Sequence, residues 1–243
     1  MTPYAERVLW ISGAGSGMGR AVAVSAAGRG AKVALSGRRT EALTETAGLV
    51  ETAGGQALVL PLDARDPAAV ADAHARIGST WGGVTDLVLA AGLNTPQRYW
   101  ADQSVEEFEA IVATNLTAAV RMVDTALPDL RRRGSGHVVV VSSYAGWRFS
   151  PHSGVAYSAS KSALASICAS INAQEAGHGI RACHLCPGDV DTDFLAMRPN
   201  VPDAEARRVM LTAADVAVAV HFVLDSPAHV QIDELVISPL SQV

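Results

Sequence analysis

Tyr157 and Lys161 lie four residues apart in the run Tyr-Ser-Ala-Ser-Lys, and Ser143 precedes the tyrosine by fourteen residues. On a helix, residues i and i+4 project from one face, so the phenol and the ammonium can act as a unit. A tyrosine with its ordinary pKa of about 10 is a poor base near neutrality. A cation held a few ångströms away favours the phenolate and makes proton exchange with a substrate hydroxyl practicable. Ser143 closes the apolar run Val138-Val139-Val140-Val141, which reads as a buried strand and puts its hydroxyl at a strand's carboxyl end. In open α/β sheets that is where ligands bind. A Tyr and a Lys at this spacing also occur by chance on solvated helices, so the elements that carry them decide what the pair means.

Those elements alternate. Strand-like runs cover residues 8–11, 32–36, 57–62, 86–90, 137–142, 180–185 and 234–237, and helical stretches cover 17–28, 40–53, 67–80, 105–130, 155–176 and 213–224. Continuously apolar strands separated by helices imply a parallel sheet covered on both faces. Right-handed crossovers then give an α/β fold, a doubly wound Rossmann-type domain with a seven-stranded parallel sheet. No linker or repeat breaks the alternation, and residues 1–243 read as one domain.

Composition narrows the function. Apolar residues make up 49% and charged ones 18%, which describes a compact protein and not a disordered one. Aromatics are only 5%, so Ala, Val, Leu and Ile must build the core. Net charge is −5, and Arg131-Arg132-Arg133 before Gly134 reads as a helix end, where cations complement the dipole. No basic face suits a nucleic acid. No apolar stretch is expected to approach the eighteen or so residues of a membrane span, and the chain is expected to be cytoplasmic. Cys168, Cys183 and Cys186 read as buried thiols; the Cys-x-x-Cys pair lies in a strand-like run before Pro187-Gly188, and no metal site is expected.

After the first strand comes Ser12-Gly13-Ala14-Gly15-Ser16-Gly17-Met18-Gly19. The spacing is G-x-x-x-G-x-G through Gly13, Gly17 and Gly19. It supplies a tight turn and a helix N-terminus facing a phosphate. The second strand ends in Gly37-Arg38-Arg39, where an NAD site would place an acid for the ribose 2′-hydroxyl. Guanidinium groups pair with a 2′-phosphate instead, so NADP(H) is favoured and NAD(H) stays possible. Asp63 is suited to accept from the adenine amino group; its alternative is a helix cap before Pro67.

With these motifs in place, the chain resembles the short-chain dehydrogenase/reductases of the main single-domain type over roughly residues 8–193. Asn115, in Thr114-Asn115-Leu116, matches the family's catalytic-helix Asn, which holds a water near the active-site Lys. The resemblance implies a catalytic set of Asn115, Ser143, Tyr157 and Lys161. It implies cofactor contacts from Gly13, Ser16, Gly17, Met18 and Gly19, from Asp63-Ala64, and from Ala90-Ala91-Gly92. Tyr157 and Lys161 join them, with Pro187, Gly188, Val190 and Thr192 of the family's P-G-x-V-x-T segment. Two departures stand out: Leu89-Ala90-Ala91-Gly92 replaces the usual Asn-Asn-Ala-Gly, and the usual C-terminal Gly-Gly is missing. The tail from Ser226, with Gly37-Arg38-Arg39, looks more like the NADP-dependent serine and 3-hydroxy acid dehydrogenases than the 3-oxoacyl-carrier-protein reductases.

The expected activity is therefore reversible hydride transfer between the cofactor and a small-molecule secondary alcohol, such as a hydroxy acid or another small polar alcohol. The alternatives are an NADP-binding regulatory protein without catalysis, or an epimerase or dehydratase of the same fold. Substrate contacts are expected from Asn94, Tyr144, Trp147, Arg148, Asp189 and Phe194, with Arg148 a candidate for binding an anionic group. Residues 195–210 read as a lid or a surface excursion. Resemblance implies a homotetramer, with a homodimer as the alternative.

Overall fold

The computed structural model describes residues 3–242. Strands β1 (Val8–Ser12), β2 (Lys32–Gly37), β3 (Gln56–Pro61), β4 (Asp86–Leu89), β5 (Gly136–Val141), β6 (Ile180–Pro187) and β9 (Glu234–Ile237) form one parallel sheet in the order β3-β2-β1-β4-β5-β6-β9. A two-residue pair, β7 (Val190–Asp191) with β8 (Leu211–Thr212), lies outside it. One sheet face packs on α1 (Gly17–Gly28), α2 (Thr40–Thr52) and α9 (Ala213–Leu224). The other packs on α3 (Pro67–Trp81), the long α4 (Val105–Val112) to α5 (Ala118–Arg133) unit, and α7 (Val155–Glu175). Every residue of β1, β4 and β5 is buried, as strands covered on both faces must be.

The winding reverses between β1 and β4. From β1 the chain steps to β2 and β3 on one side, then crosses to β4, β5, β6 and β9 on the other. At that switch the loops after β1 and β4 diverge, and a crevice opens at the strands' carboxyl ends.

Helix signals in the sequence match the observed termini. Ser104 and Thr212 each form a capping box, with Glu107 and Asp215 respectively. Gly134 ends α5 with φ +70, and the arginines before it also pair, Arg131 with Glu175 and Arg132 with Asp129. The α4–α5 unit is longer than expected and continuous through a wide π turn at Ala113–Thr117. Its 29 residues, with a mean hydropathy of 1.2 in the most apolar stretch, are long and apolar enough by themselves to cross a membrane. This corrects the expectation that no stretch comes close. Here Met122, Val123, Ala126 and Leu130 lie in the core beneath the sheet.

Cys183 and Cys186 are free, buried, and three apart on a strand, so they cannot meet. Cys186 instead lies beside His184 and Glu234, whose ligand atoms fall with its own within 4.8 Å. Residues 195–210 form a 3₁₀ turn (Asp193–Met197) and a short α8 (Ala204–Arg207), with the β7–β8 pair closing the base of the excursion.

His221 on α9 joins the N-terminal turn to the helical layer. The Tyr4 hydroxyl hydrogen-bonds its Nδ1 at 2.7 Å, and its Nε2 contacts Ser25 Oγ at 2.9 Å. Burial, reinforced by Arg29, lowers its pKa from 6.5 to about 4. The unfolded chain therefore takes up this proton first, and the neutral ring's stabilisation, complete above 6.5, is lost as pH falls towards 4. The urea midpoint should drop over that interval by more in the native chain than in His221→Asn. Equal drops in both proteins would remove His221 as the cause.

Candidate active site

The turn between β1 and α1 has no room for side chains. Gly13 has φ +66, and a Cβ there would lie 2.8 Å from the Ala91 nitrogen; one on Gly19 would collide with the Gly13 carbonyl oxygen. Gly17 has φ +51 and faces the Thr192 methyl across 3.3 Å from its Cβ position. Ser16 occupies the N-cap of α1, yet its hydroxyl caps no backbone N–H and accepts from Arg39 Nη2 at 3.2 Å. The first-turn N–H groups of α1 are thereby left facing a groove of about 430 Å³.

That groove runs along the sheet's carboxyl edge. Ser16, Gly17 and Met18 line one side, Ala64, Ala90, Ala91 and Gly92 the other, and Thr192 and Phe194 its inner end. Its outer end carries Arg38, Arg39, Asp63 and Arg65. A glycine cradle, open helix-terminal donors and a cationic far end fit a dinucleotide phosphate ester. Asp63 is bound by Arg65 at 2.6 and 3.0 Å, and this hydrogen bonding holds its carboxyl below the usual range. The cap of α3 is Asp66, which accepts from Ala68 and Ala69, so the helix-cap alternative for Asp63 is corrected. Ser12 meets the departure at Ala90-Ala91: its hydroxyl accepts from the Ala91 N–H at 3.2 Å. A serine on β1 thus braces the loop in which Ala90-Ala91 stands in place of the usual Asn-Asn.

The four expected catalytic residues converge where this groove ends. Lys161 is buried, and its ammonium donates to the Val141 carbonyl at 2.9 Å, at the end of β5. A Cβ on Gly92 would lie 3.8 Å from Lys161 Nζ and 3.9 Å from Asn115 Oδ1, which places all three around one small space. Asn115 occupies the π turn, a feature frequent at functional sites. Its amide accepts from Leu93 N at 2.7 Å and donates to Leu93 O and Ser160 Oγ. Ser143 caps the short α6 (Tyr144–Trp147), and the Tyr157 ring stands 5.9 Å from that of Phe194.

The electrostatics differ from the simple pairing expected. Lys161 Nζ lies 5.7 Å from the Tyr157 ring centroid, but burial dominates both groups. It pushes the Tyr157 hydroxyl above its ordinary value, with Ser143, then Arg198 and Arg98, drawing it back. It pushes Lys161 down from 10.5 to about 8. In the protein alone the phenol is an acid in waiting, not a standing phenolate.

A second cleft, about 510 Å³, shares Met18, Thr192 and Phe194 with the groove. Ser143, Tyr144, Tyr157, Pro187, Gly188, Val190, Asn94 and Asp189 line it. Asn94 is spent on the loop itself, donating to Ser153 O and accepting from Thr95 N. Trp147 and Arg148 do not line the cleft, contrary to expectation: α6 turns them outward, and the exposed Arg148 guanidinium lies 4.1 Å over the Trp147 ring. The cations in the cleft wall are Arg98 and Arg198, which no motif marked, just as none marked Arg65 in the groove.

A nucleotide groove meeting a reaction cleft at this edge of a doubly wound sheet defines a Rossmann-type dehydrogenase. The model of the family described as short chain dehydrogenase matches residues 7–201, and the chain belongs to that family of NAD(P)-dependent oxidoreductases acting on CH–OH groups. An uncharacterized oxidoreductase of Staphylococcus aureus (strain MW2) is 30% identical over 240 residues, 99% of this chain and 100% of the relative. The alcohol dehydrogenase from the archaeon Thermococcus sibiricus, solved with 5-hydroxy-NADP, has a TM-score of 0.87 at 27% identity, over 98% of each chain. The closed form of a serine dehydrogenase complexed with NADP+ has a TM-score of 0.87 at 30% identity, over 97% of this chain and 96% of that one.

Gly19→Ala tests the cradle directly. It should weaken NADP(H) binding by roughly tenfold or more, about 1.4 kcal/mol, in a fluorescence titration. Unchanged affinity would mean that the turn does not hold the phosphates.

Proposed function

We propose that this chain is an NADP(H)-preferring oxidoreductase that interconverts a small secondary alcohol and its ketone, with Tyr157 as the acid/base. One observation carries the reading: Tyr157 and Ser143 line the second cleft beside the wall it shares with the groove, while Lys161 is fixed behind them on the end of β5. The nicotinamide, when bound, supplies or accepts the hydride. The residues of the chain do the rest. Tyr157 gives its proton to the carbonyl oxygen in reduction and takes it from the hydroxyl in oxidation. Ser143 hydrogen-bonds the same oxygen and holds it towards the phenol. The Lys161 charge favours the phenolate as it forms, and Asn115 positions Lys161 by clamping Leu93 to Ser160 beside it. Gly13, Gly17 and Gly19 admit the phosphates, while Val190 and Thr192 hold the carboxamide end.

Replacing Tyr157 by Phe removes only the hydroxyl. Turnover should fall by about three orders of magnitude or more, with NADP(H) affinity within about threefold of the native value. Substantial residual activity would reject the acid/base role.

The preference for NADP(H) is supported by Arg38, Arg39 and Arg65 at the outer end of the groove, where, among the described residues, the carboxylate present, Asp63, is paired with Arg65. The double variant Arg38→Ala, Arg39→Ala should lower kcat/KM for NADPH by about tenfold or more and leave that for NADH nearly unchanged. If the native enzyme already uses NADH as well as NADPH, the preference is wrong.

A further inference from the structure

Arg98 is a buried cation without a counter-ion. It is 4% exposed, on the loop between β4 and α4. Its Nε donates to Thr95 O at 2.8 Å and its Nη2 to Met197 O, both of them neutral carbonyls. Among the described residues no carboxylate forms an ion pair with it; Asp102 acts on it only at a distance, its own carboxylate accepting from the Tyr99 N–H at 2.7 Å. Burial pulls its pKa below the ordinary value, and Arg198 pulls it further.

An unpaired buried guanidinium is expensive, yet this one is rigidly installed. Its backbone carbonyl accepts from Val155 N at 2.9 Å. Gly154, with φ +91, packs so closely on it that a Cβ there would stand 2.6 Å from Arg98 Cβ. Among the described residues the remaining nitrogen, Nη1, has no hydrogen-bond partner, and it is not sealed from the cleft that Arg98 lines with Ser143 and Tyr157. A second guanidinium, Arg198, lines the same cleft. It is a third exposed and is paired with Asp189 at 2.5 and 3.4 Å.

We propose that Arg98 and Arg198 are the specificity-determining residues of this cleft and together receive a carboxylate of the substrate, with Asp189 as the counter-ion that the carboxylate displaces from Arg198. This rests on the preceding reading that Tyr157 exchanges a proton with the substrate oxygen, and it names the substrate class as a short hydroxy acid and its oxo acid. A planar carboxylate matches the guanidinium fork, and charge-assisted hydrogen bonds are the strong ones. Arg98, Arg198, Ser143 and Tyr157 line one cleft of about 510 Å³, so a carboxylate held by the arginines and the reacting oxygen must belong to one small molecule. An exposed pair such as Asp189–Arg198 is worth little by itself and yields readily to a better-placed anion.

The test compares matched substrates on the full-length, NADP+-saturated enzyme: 3-hydroxybutanoate against 1,3-butanediol, and lactate against 1,2-propanediol. The native enzyme should prefer an acid to its diol. Arg98→Met should raise the KM of the acid by about tenfold or more and leave that of the diol within about twofold. Arg98→Lys should recover part of the loss. Arg198→Met, which disturbs no buried contact, should act in the same direction, and Asp189→Asn should lower the KM of the acid. A native preference for diols, or equal KM changes for acid and diol in both arginine variants, would overturn the proposal. Calorimetric titration of 3-hydroxybutanoate into NADP+-loaded Tyr157→Phe separates this inference from the reaction assignment. Binding that is lost on adding Arg98→Met supports the subsite even if Tyr157 proves not to be the acid/base. Absent binding overturns it whatever the enzyme turns over.

Discussion

The bond from the Lys161 ammonium to the Val141 carbonyl fixes the reactive end of this molecule. It joins the second turn of α7 to the last residue of β5 through a residue that is 3% exposed. Ser142 adds a second tie, its hydroxyl donating to the Lys161 carbonyl at 3.1 Å. Gly146 makes the approach possible, because a Cβ there would stand 2.8 Å from that carbonyl oxygen. Main chain and side chain of one residue thus pin a helix to a strand end. Sliding α7 by a fraction of a turn would break both ties and carry Tyr157 away from Ser143. The tie is not free: a pKa lowered from 10.5 to about 8 means about 3 kcal/mol against the charged form. That cost is present below pH 8 and is relieved as pH rises above it. A buried charge kept at such a cost implies use.

The second constraint is the reversal of winding between β1 and β4. It makes the glycine turn and the Ala90-Ala91-Gly92 loop neighbours, so close that Gly13 can carry no side chain. Ser12 supports both walls, its carbonyl accepting from Ala90 N and its hydroxyl accepting from Ala91 N. Groove and cleft therefore rest on strand ends and not on loops alone, the arrangement in which reacting groups keep their spacing.

Much of this was legible in local sequence. Each sheet strand was marked by an apolar run, because parallel strands covered on both faces leave no polar alternation. Arg131-Arg132-Arg133 before Gly134 marked where one helix ends, and the Tyr-x-x-x-Lys spacing marked the face of α7. What sequence hid is non-local. Arg98 is held by a carbonyl 99 residues away and a glycine 56 residues away, and its character as an unpaired cation exists only after folding. Arg148 looked equally apt from its place between Ser143 and Tyr157, yet one turn of helix after Ser143 aims it at Trp147. Asp63 and Asp66 could each have capped α3, and the choice depended on Arg65 claiming the first. The long α4–α5 helix shows the converse: its composition suits lipid as well as a protein core, and only the sheet beneath it decides.

The charges complete the logic. The chain carries a net charge of −5, yet the path from groove to cleft is cationic throughout, from Arg38, Arg39 and Arg65 through Lys161 to Arg98 and Arg198. Two of the acids along it, Asp63 and Asp189, are each tied to an arginine in a partly exposed pair. Such pairs hold guanidinium groups in place while the cleft is empty and release them to a stronger anion at little cost. Lys161 and Arg98 have no such partner. Among the described residues along this path they are the two buried cations, one fixed on the end of β5 and one in the wall of the cleft. Low-dielectric walls strengthen what remains unpaired. Cations lining a cleft focus the field there even in a chain of net negative charge.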